Sequence, residues 1–68
     1  MNVFVIGIGL IGGSLARDIR RHYPEVKLFG IDQDPVHLDE ALKLGLIDQG
    51  SDYSELSHAD LVILTIPV

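Results

Sequence analysis

Along the chain the spacing of apolar residues alternates between two periods. Val3-Phe4-Val5-Ile6 is a continuous apolar run, mostly β-branched and ended by glycine, which is the pattern of a strand buried on both faces of a parallel sheet. Beyond the glycines the period becomes helical. Leu15, Ala16, Ile19 and Tyr23 share one face, Arg17, Asp18, Arg20 and Arg21 take the opposite one, and Pro24 lies just past the end. Residues 26–31 predict a second strand running into Asp32, and Asp34-Pro35 then offers an N-cap with proline at the first helical position. Leu38, Ala41 and Leu42 form the apolar stripe of that second helix, and Gly45 stops it. A short third strand is expected at Leu46-Ile47-Asp48, a turn at Gly50-Ser51-Asp52, one helical turn within residues 54–59, and a fourth strand over residues 61–66, ended by Pro67.

Strands that are apolar on both faces and alternate with helices require a parallel sheet covered on both sides. Right-handed crossovers then leave an α/β, doubly wound Rossmann-type sheet of strand order 3-2-1-4, the first half of such a domain, with no fifth strand after the fourth. No internal repeat, linker or low-complexity stretch interrupts it.

Composition narrows the function classes. Sixty-eight residues predict a single small domain and not a multidomain enzyme, and the lack of cysteine argues against a disulfide scaffold and a thiolate metal site. At 47% hydrophobic the chain is too apolar to be disordered, although a lone core of this size supplies only roughly 3–5 kcal/mol. Ten acidic against five basic residues, a net charge of -5, argue against nucleic acid, whose affinity comes from lysine and arginine displacing counterions. Arg17, Arg20 and Arg21 read as a solvated helix face. The opening Met1-Asn2 lacks the basic region of a secretory signal and glycines break the apolar stretch early, so a cytoplasmic, non-membrane protein is expected.

The chemistry lies between the first strand and the first helix. Gly7-Ile8-Gly9-Leu10-Ile11-Gly12 is a G-x-G-x-x-G in the strand–turn–helix context that its mechanism needs. Gly7 permits the tight turn, Gly9 lets the backbone approach a pyrophosphate, and Gly12 lets helix and strand pack closely. The N–H groups of Leu10 and Ile11 would hold the anion at the positive end of the helix dipole. Gly12-Gly13-Ser14 lacks the Gly-Lys-Ser/Thr of a P-loop. Asp32 stands twenty positions after Gly12 at the end of the second strand, where a carboxylate accepts the adenosine ribose hydroxyls and repels a 2′-phosphate, so NAD is favoured over NADP. Asp34 adds negative charge, and no arginine lies in residues 33–44.

Other positions carry less. Ser14 fits a phosphate contact or a local cap; Thr65 and Pro67, at the carboxyl end of the fourth strand, fit cofactor neighbours by position. His22, His37 and His58 lack partners at metal or triad spacing and read as surface residues, while Tyr23 and Tyr53 read as core or rim packing. No metal site and no catalytic residue are expected. Ile6 stands where methyltransferases usually place an acidic residue, which counts against S-adenosylmethionine; Ala16, four positions after Gly12, keeps a flavin open.

Residues 5–16, Gly30-Ile31-Asp32, residues 41–48 and residues 60–68 together resemble the opening of a prephenate or arogenate dehydrogenase. The similarity spans the chain, and its most specific parts are Leu10-Ile11-Gly12-Gly13-Ser14-Leu15-Ala16 and Gly45-Leu46-Ile47-Asp48. The resemblance implies oxidative decarboxylation of prephenate to 4-hydroxyphenylpyruvate in tyrosine biosynthesis, with hydride passing to a nicotinamide dinucleotide. It also implies that Gly7, Gly9, Leu10, Ile11, Gly12 and Asp32 bind that dinucleotide and that Thr65, Ile66 and Pro67 line its path; Ile8 and Gln33 complete the expected set. The family's later serine and histidine, and its helical dimerisation domain, have no counterparts here, so residues 1–68 are expected to be a cofactor-binding part that is inactive alone. Another hydroxyacid dehydrogenase or imine reductase, and a stand-alone dinucleotide sensor, remain the alternative functions. The fourth strand, apolar on both faces and at a sheet edge, predicts self-association or a homodimer.

Overall fold

The computed structural model describes residues 1–65, with Leu10 described by its backbone alone. Four strands form one parallel sheet in the order β3-β2-β1-β4: β1 is Asn2–Ile6, β2 Lys27–Ile31, β3 Gln49–Gly50 and β4 Leu61–Leu64. Helix α1 (Leu10–His22) connects β1 to β2 and α2 (Pro35–Lys43) connects β2 to β3, while a 3-10 helix, Tyr53–His58, leads into β4. The strand order and the alternation are those that the sequence predicts.

Period two in β1 and β2 divides the core between the two faces of the sheet. Val3, Val5 and Leu28 pack on one side with Ile8, Ala16 of α1, Ala41 of α2 and Ile47. Phe4, Ile6, Phe29 and Ile31 pack on the other, covered by Leu56 and Ala59 from the 3-10 segment. There the rings of Phe4 and Phe29 stack with centroids 4.6 Å apart. Gly30 allows the helical face to close: a Cβ on it would lie 2.8 Å from Ile47 Cδ1 and 3.0 Å from Ile8 Cδ1.

Four local expectations need correction. The third strand is Gln49–Gly50 and not Leu46-Ile47-Asp48; Ile47 is drawn into the core, and the Asp48 carboxylate accepts from the Leu28 N–H at 2.8 Å, while the Asp48 N–H donates to the Leu28 carbonyl at 2.8 Å. Gly50 therefore belongs to a strand and not to a turn. Leu42 is exposed, so the buried stripe of α2 narrows to Ala41 with Leu38 partly buried. Tyr23 caps α1 at the surface, outside the core. Strand β4 ends at Leu64, and the expected Ile66 portion lies outside the described residues.

Helix punctuation follows the sequence elsewhere. The Asp34 carboxylate caps α2 by accepting from Val36 N–H at 2.9 Å, with Pro35 in the first turn. Gly45, at φ 71°, ends it in the left-handed region.

Candidate dinucleotide site

The carboxyl ends of β1, β2 and β4 meet beside the N-terminus of α1. This is where the strand order reverses and where open α/β sheets bind ligands. Gly7, at φ 88°, turns the chain out of β1 in a conformation that favours glycine, and its N–H donates to the Ile31 carbonyl at 2.7 Å. The first helical bond of α1 runs from Gly13 N–H to the Gly9 carbonyl at 2.9 Å, and among the described residues no side chain caps the helix. The N–H groups of Leu10, Ile11 and Gly12 thus belong to the first turn, which has no intrahelical acceptor.

The motif's glycines differ in what surrounds them. A Cβ on Gly12 would overlap the Gly7 carbonyl oxygen and lie 2.8 Å from Thr65 Oγ1, so this position is closed by backbone on one side and β4 on the other. A Cβ on Gly9 would meet nothing within 4 Å among the described residues. Gly12 serves the fold; Gly9 keeps open a space that none of the described residues fills. Thr65 fastens the loop to β4, its hydroxyl donating to the carbonyls of Ile6, at 3.1 Å, and Gly7.

Asp32 forms the opposite wall. Its side chain is only 11% exposed and is held by backbone: Oδ2 accepts from Ile8 N–H at 2.7 Å and Oδ1 from Asp34 N–H at 2.9 Å. His37, on the first turn of α2, adds a contact from Nδ1 to Oδ2 at 3.2 Å, and its Nε2 lies 3.6 Å from Asp34 Oδ2. Burial alone would push the Asp32 carboxyl up, but the N–H donors of Asp34 and Ile8, followed by His37, outweigh it and hold the group below its ordinary value. The bond to Asp32, reinforced by the charges of Asp32, Asp34 and Glu40, raises His37 despite some desolvation.

These groups surround a cleft of about 620 Å³, a volume suited to a small-molecule or cofactor site. Of the residues expected at a cofactor, Gly7, Gly9, Ile11, Gly12, Asp32, Gln33 and Thr65 line it. Ile8 contributes its N–H while its side chain is buried in the core, and Leu10 opens α1. Ile66 and Pro67 lie outside the described residues. Four lining residues lie outside the expected set: Ile6 and Ile31, at the ends of β1 and β2, and His37 and Tyr53. His37 has carboxylate partners, which corrects its expected isolation; its offset of three from the N-cap Asp34 could have signalled it, because positions three apart on a helix are neighbours. Tyr53 lines the cleft from the 3-10 helix and is 60% exposed, so its ring is not packed away. No local pattern marks it. Ser14 lies outside this cleft, in a second hollow of about 290 Å³ that also contacts Gly9, Arg17 and His37.

A family model described as prephenate dehydrogenase, nucleotide-binding domain, matches residues 15–68. The chain belongs to that family. It is 40% identical over 68 residues to a prephenate dehydrogenase of Bacillus subtilis, covering 97% of this chain and 18% of that protein. Among solved structures, the A. aeolicus prephenate dehydrogenase in complex with hydroxyphenyl propionate and NAD+ superposes with a TM-score of 0.89 at 34% identity, over 98% of this chain and 24% of that one. Synechocystis arogenate dehydrogenase gives a TM-score of 0.87 at 35% identity, with the same coverage. The chain therefore spans about a fifth to a quarter of the length of these prephenate and arogenate dehydrogenases. Among the described residues no helix is long and apolar enough to cross a membrane, and no cluster of three or more His, Asp or Glu could hold a metal.

Proposed function

We propose that residues 1–68 are the NAD-binding part of an NAD-dependent prephenate dehydrogenase, whose whole chain carries out oxidative decarboxylation of prephenate to 4-hydroxyphenylpyruvate. The observation that carries the binding role is the space over Gly9 that the described residues leave unfilled, facing a carboxylate already fixed by the Ile8 and Asp34 N–H groups. In this arrangement the first-turn N–H groups of Leu10 and Ile11 bind the pyrophosphate, Gly7 and Gly9 let it approach, and Gly12 keeps α1 against β1. Asp32 orients the adenosine ribose through lone pairs that the backbone donors leave free, and Ile8 holds Asp32 in place. Gln33 borders the adenosine end, and Tyr53 offers an aromatic face there. Thr65 borders the cleft on the side of the nicotinamide, which when bound accepts the hydride. NAD is preferred over NADP because Asp32 and Asp34 both stand where a 2′-phosphate would come.

The 68 residues alone are expected to bind nucleotide without turning over prephenate. Calorimetric titration with NAD and NADP, on the wild type and on Asp32→Ala, tests the proposal. Detectable NAD binding, weaker NADP binding and a narrowed gap in the variant are expected. A folded chain that binds neither dinucleotide would overturn it.

A further inference from the structure

His37 is the one imidazole that joins both acidic residues of the ribose wall, and it also borders the second hollow, shared with Ser14, Arg17 and Glu40. Three carboxylates surround it: Asp32 from the end of β2, Asp34 from the helix cap and Glu40 from the next turn of α2. From α1, Arg17 is the cation bordering the same hollow. The ring is 44% exposed on its side chain, so it exchanges protons with solvent while keeping its contact with Asp32. Nothing else among the described side chains bonds to Asp32.

We propose that His37 sets the dinucleotide selectivity of this site through its charge, admitting a 2′-phosphorylated ribose when it is an imidazolium and rejecting it when neutral. The inference rests on the dinucleotide-binding reading above. A neutral ring leaves the carboxylates of Asp32 and Asp34 to repel a phosphate. An imidazolium offsets one of those charges at the point of contact and, with Nδ1–H on Asp32 Oδ2, has Nε2–H as a donor to a phosphate oxygen. Both effects shift the balance from NAD toward NADP. His37 is thus a specificity-determining residue that acts partly by positioning Asp32.

The test has two arms on the 68-residue chain. In the first, the His37 ring is titrated by NMR without nucleotide. Its pKa is expected above the ordinary histidine value in the wild type and to move down in Asp32→Asn; an unmoved titration overturns the clamp. In the second, dissociation constants for NAD and NADP are measured between about pH 8 and about pH 5.5, the range in which histidine changes charge. The 2′-phosphate itself titrates near ~6, so the wild type is compared with His37→Gln. The NADP:NAD ratio of dissociation constants should fall roughly fivefold further in the wild type than in the variant, the effect of a unit charge a few ångströms away in a solvated site. Equal falls in both proteins, with NAD still bound, would overturn the role of His37 alone. Failure of both nucleotides to bind at every pH would overturn the dinucleotide reading and this inference with it.

Discussion

Gly12→Ala and Gly13→Ala add the same methyl group to adjacent residues of one helix, and the structure assigns them opposite signs. At Gly12 the new Cβ would collide with the Gly7 carbonyl oxygen and stand 2.8 Å from Thr65 Oγ1. Neither neighbour yields easily, because Gly7 holds φ 88° and is hydrogen-bonded to Ile31, and the Thr65 hydroxyl is engaged with Ile6 and Gly7. Overpacking of this kind costs typically ~1–3 kcal/mol, and backbone as the obstacle favours the upper end. The gain from replacing a helical glycine by alanine is ~0.5–1 kcal/mol, which leaves a net loss of about 1–2 kcal/mol. Against a total of roughly 3–10 kcal/mol for 68 residues, that is a large fraction. It corresponds to a fall of about 4–16 °C in Tm for a domain of this length. At Gly13 the new Cβ meets Leu46 Cδ1 at 3.5 Å, an ordinary contact, so the helix gain is kept and Tm rises by a few degrees. Far-UV circular dichroism melts of the three proteins without nucleotide decide it. A Gly12→Ala protein melting at or above the wild type would refute the close approach of α1 to β1 at this loop.

Gly9→Ala, by contrast, fills space that the fold leaves open, so calorimetric titration should show NAD affinity falling at least about tenfold while Tm changes far less than in Gly12→Ala. Tyr53→Ala should weaken NAD roughly two- to tenfold, the ~0.5–1.5 kcal/mol of an aromatic contact; unchanged affinity in the same titration would remove the ring from the site. Asp32 and Asp48 are both held below the carboxylate value of 3.8, so their contribution to stability is present above that value and is lost as pH falls through the depressed ones. Acid melts should therefore show a steep loss below about pH 4 that Asp48→Asn makes shallower. Leu61, Val62 and Leu64 are exposed on β4, which pairs only with β1 among the described residues, so concentration-dependent association is expected in light scattering and should weaken in Leu64→Lys. A chain that stays monomeric at every concentration would contradict it.

The topology was legible because its signals are local and repeat. Continuous apolar runs marked β1 and β4, a largely apolar run into Asp32 marked β2, an acidic N-cap with proline marked α2, and right-handed crossovers left the order 3-2-1-4. The third strand was misplaced by the same logic: Ile47 is apolar because it packs over Gly30 in the core, while the two residues that pair, Gln49 and Gly50, carry no strand preference. Short edge pairing is decided by where the preceding core residue anchors the chain. The glycine motif fixed one wall of the cleft, and Asp32 at twenty residues' distance fixed the other. Tyr53 was not legible, since it reaches the cleft through a turn of helix whose orientation depends on tertiary packing, whereas His37 was signalled only by its offset of three from the N-cap Asp34.

The geometry around Asp32 bears on how any substitution there must be interpreted. A carboxylate that only waited for a ribose would pay desolvation with no partner, and a group 11% exposed would then have a raised pKa. Here the Ile8 and Asp34 N–H groups compensate that cost in the absence of ligand, so the negative charge is fixed before nucleotide arrives. The same bonds tie the glycine loop to the β2–α2 turn, which couples the fold to the site. Asp32→Ala strands two backbone donors and should lower Tm as well as NAD affinity, whereas Asp32→Asn keeps an acceptor oxygen for one of them and removes the charge. If the role of Asp32 is electrostatic selection against a 2′-phosphate, Asn should narrow the NAD–NADP gap about as much as Ala while losing less stability. If only Ala narrows the gap, the residue acts by holding the loop, and the preference for NAD arises elsewhere.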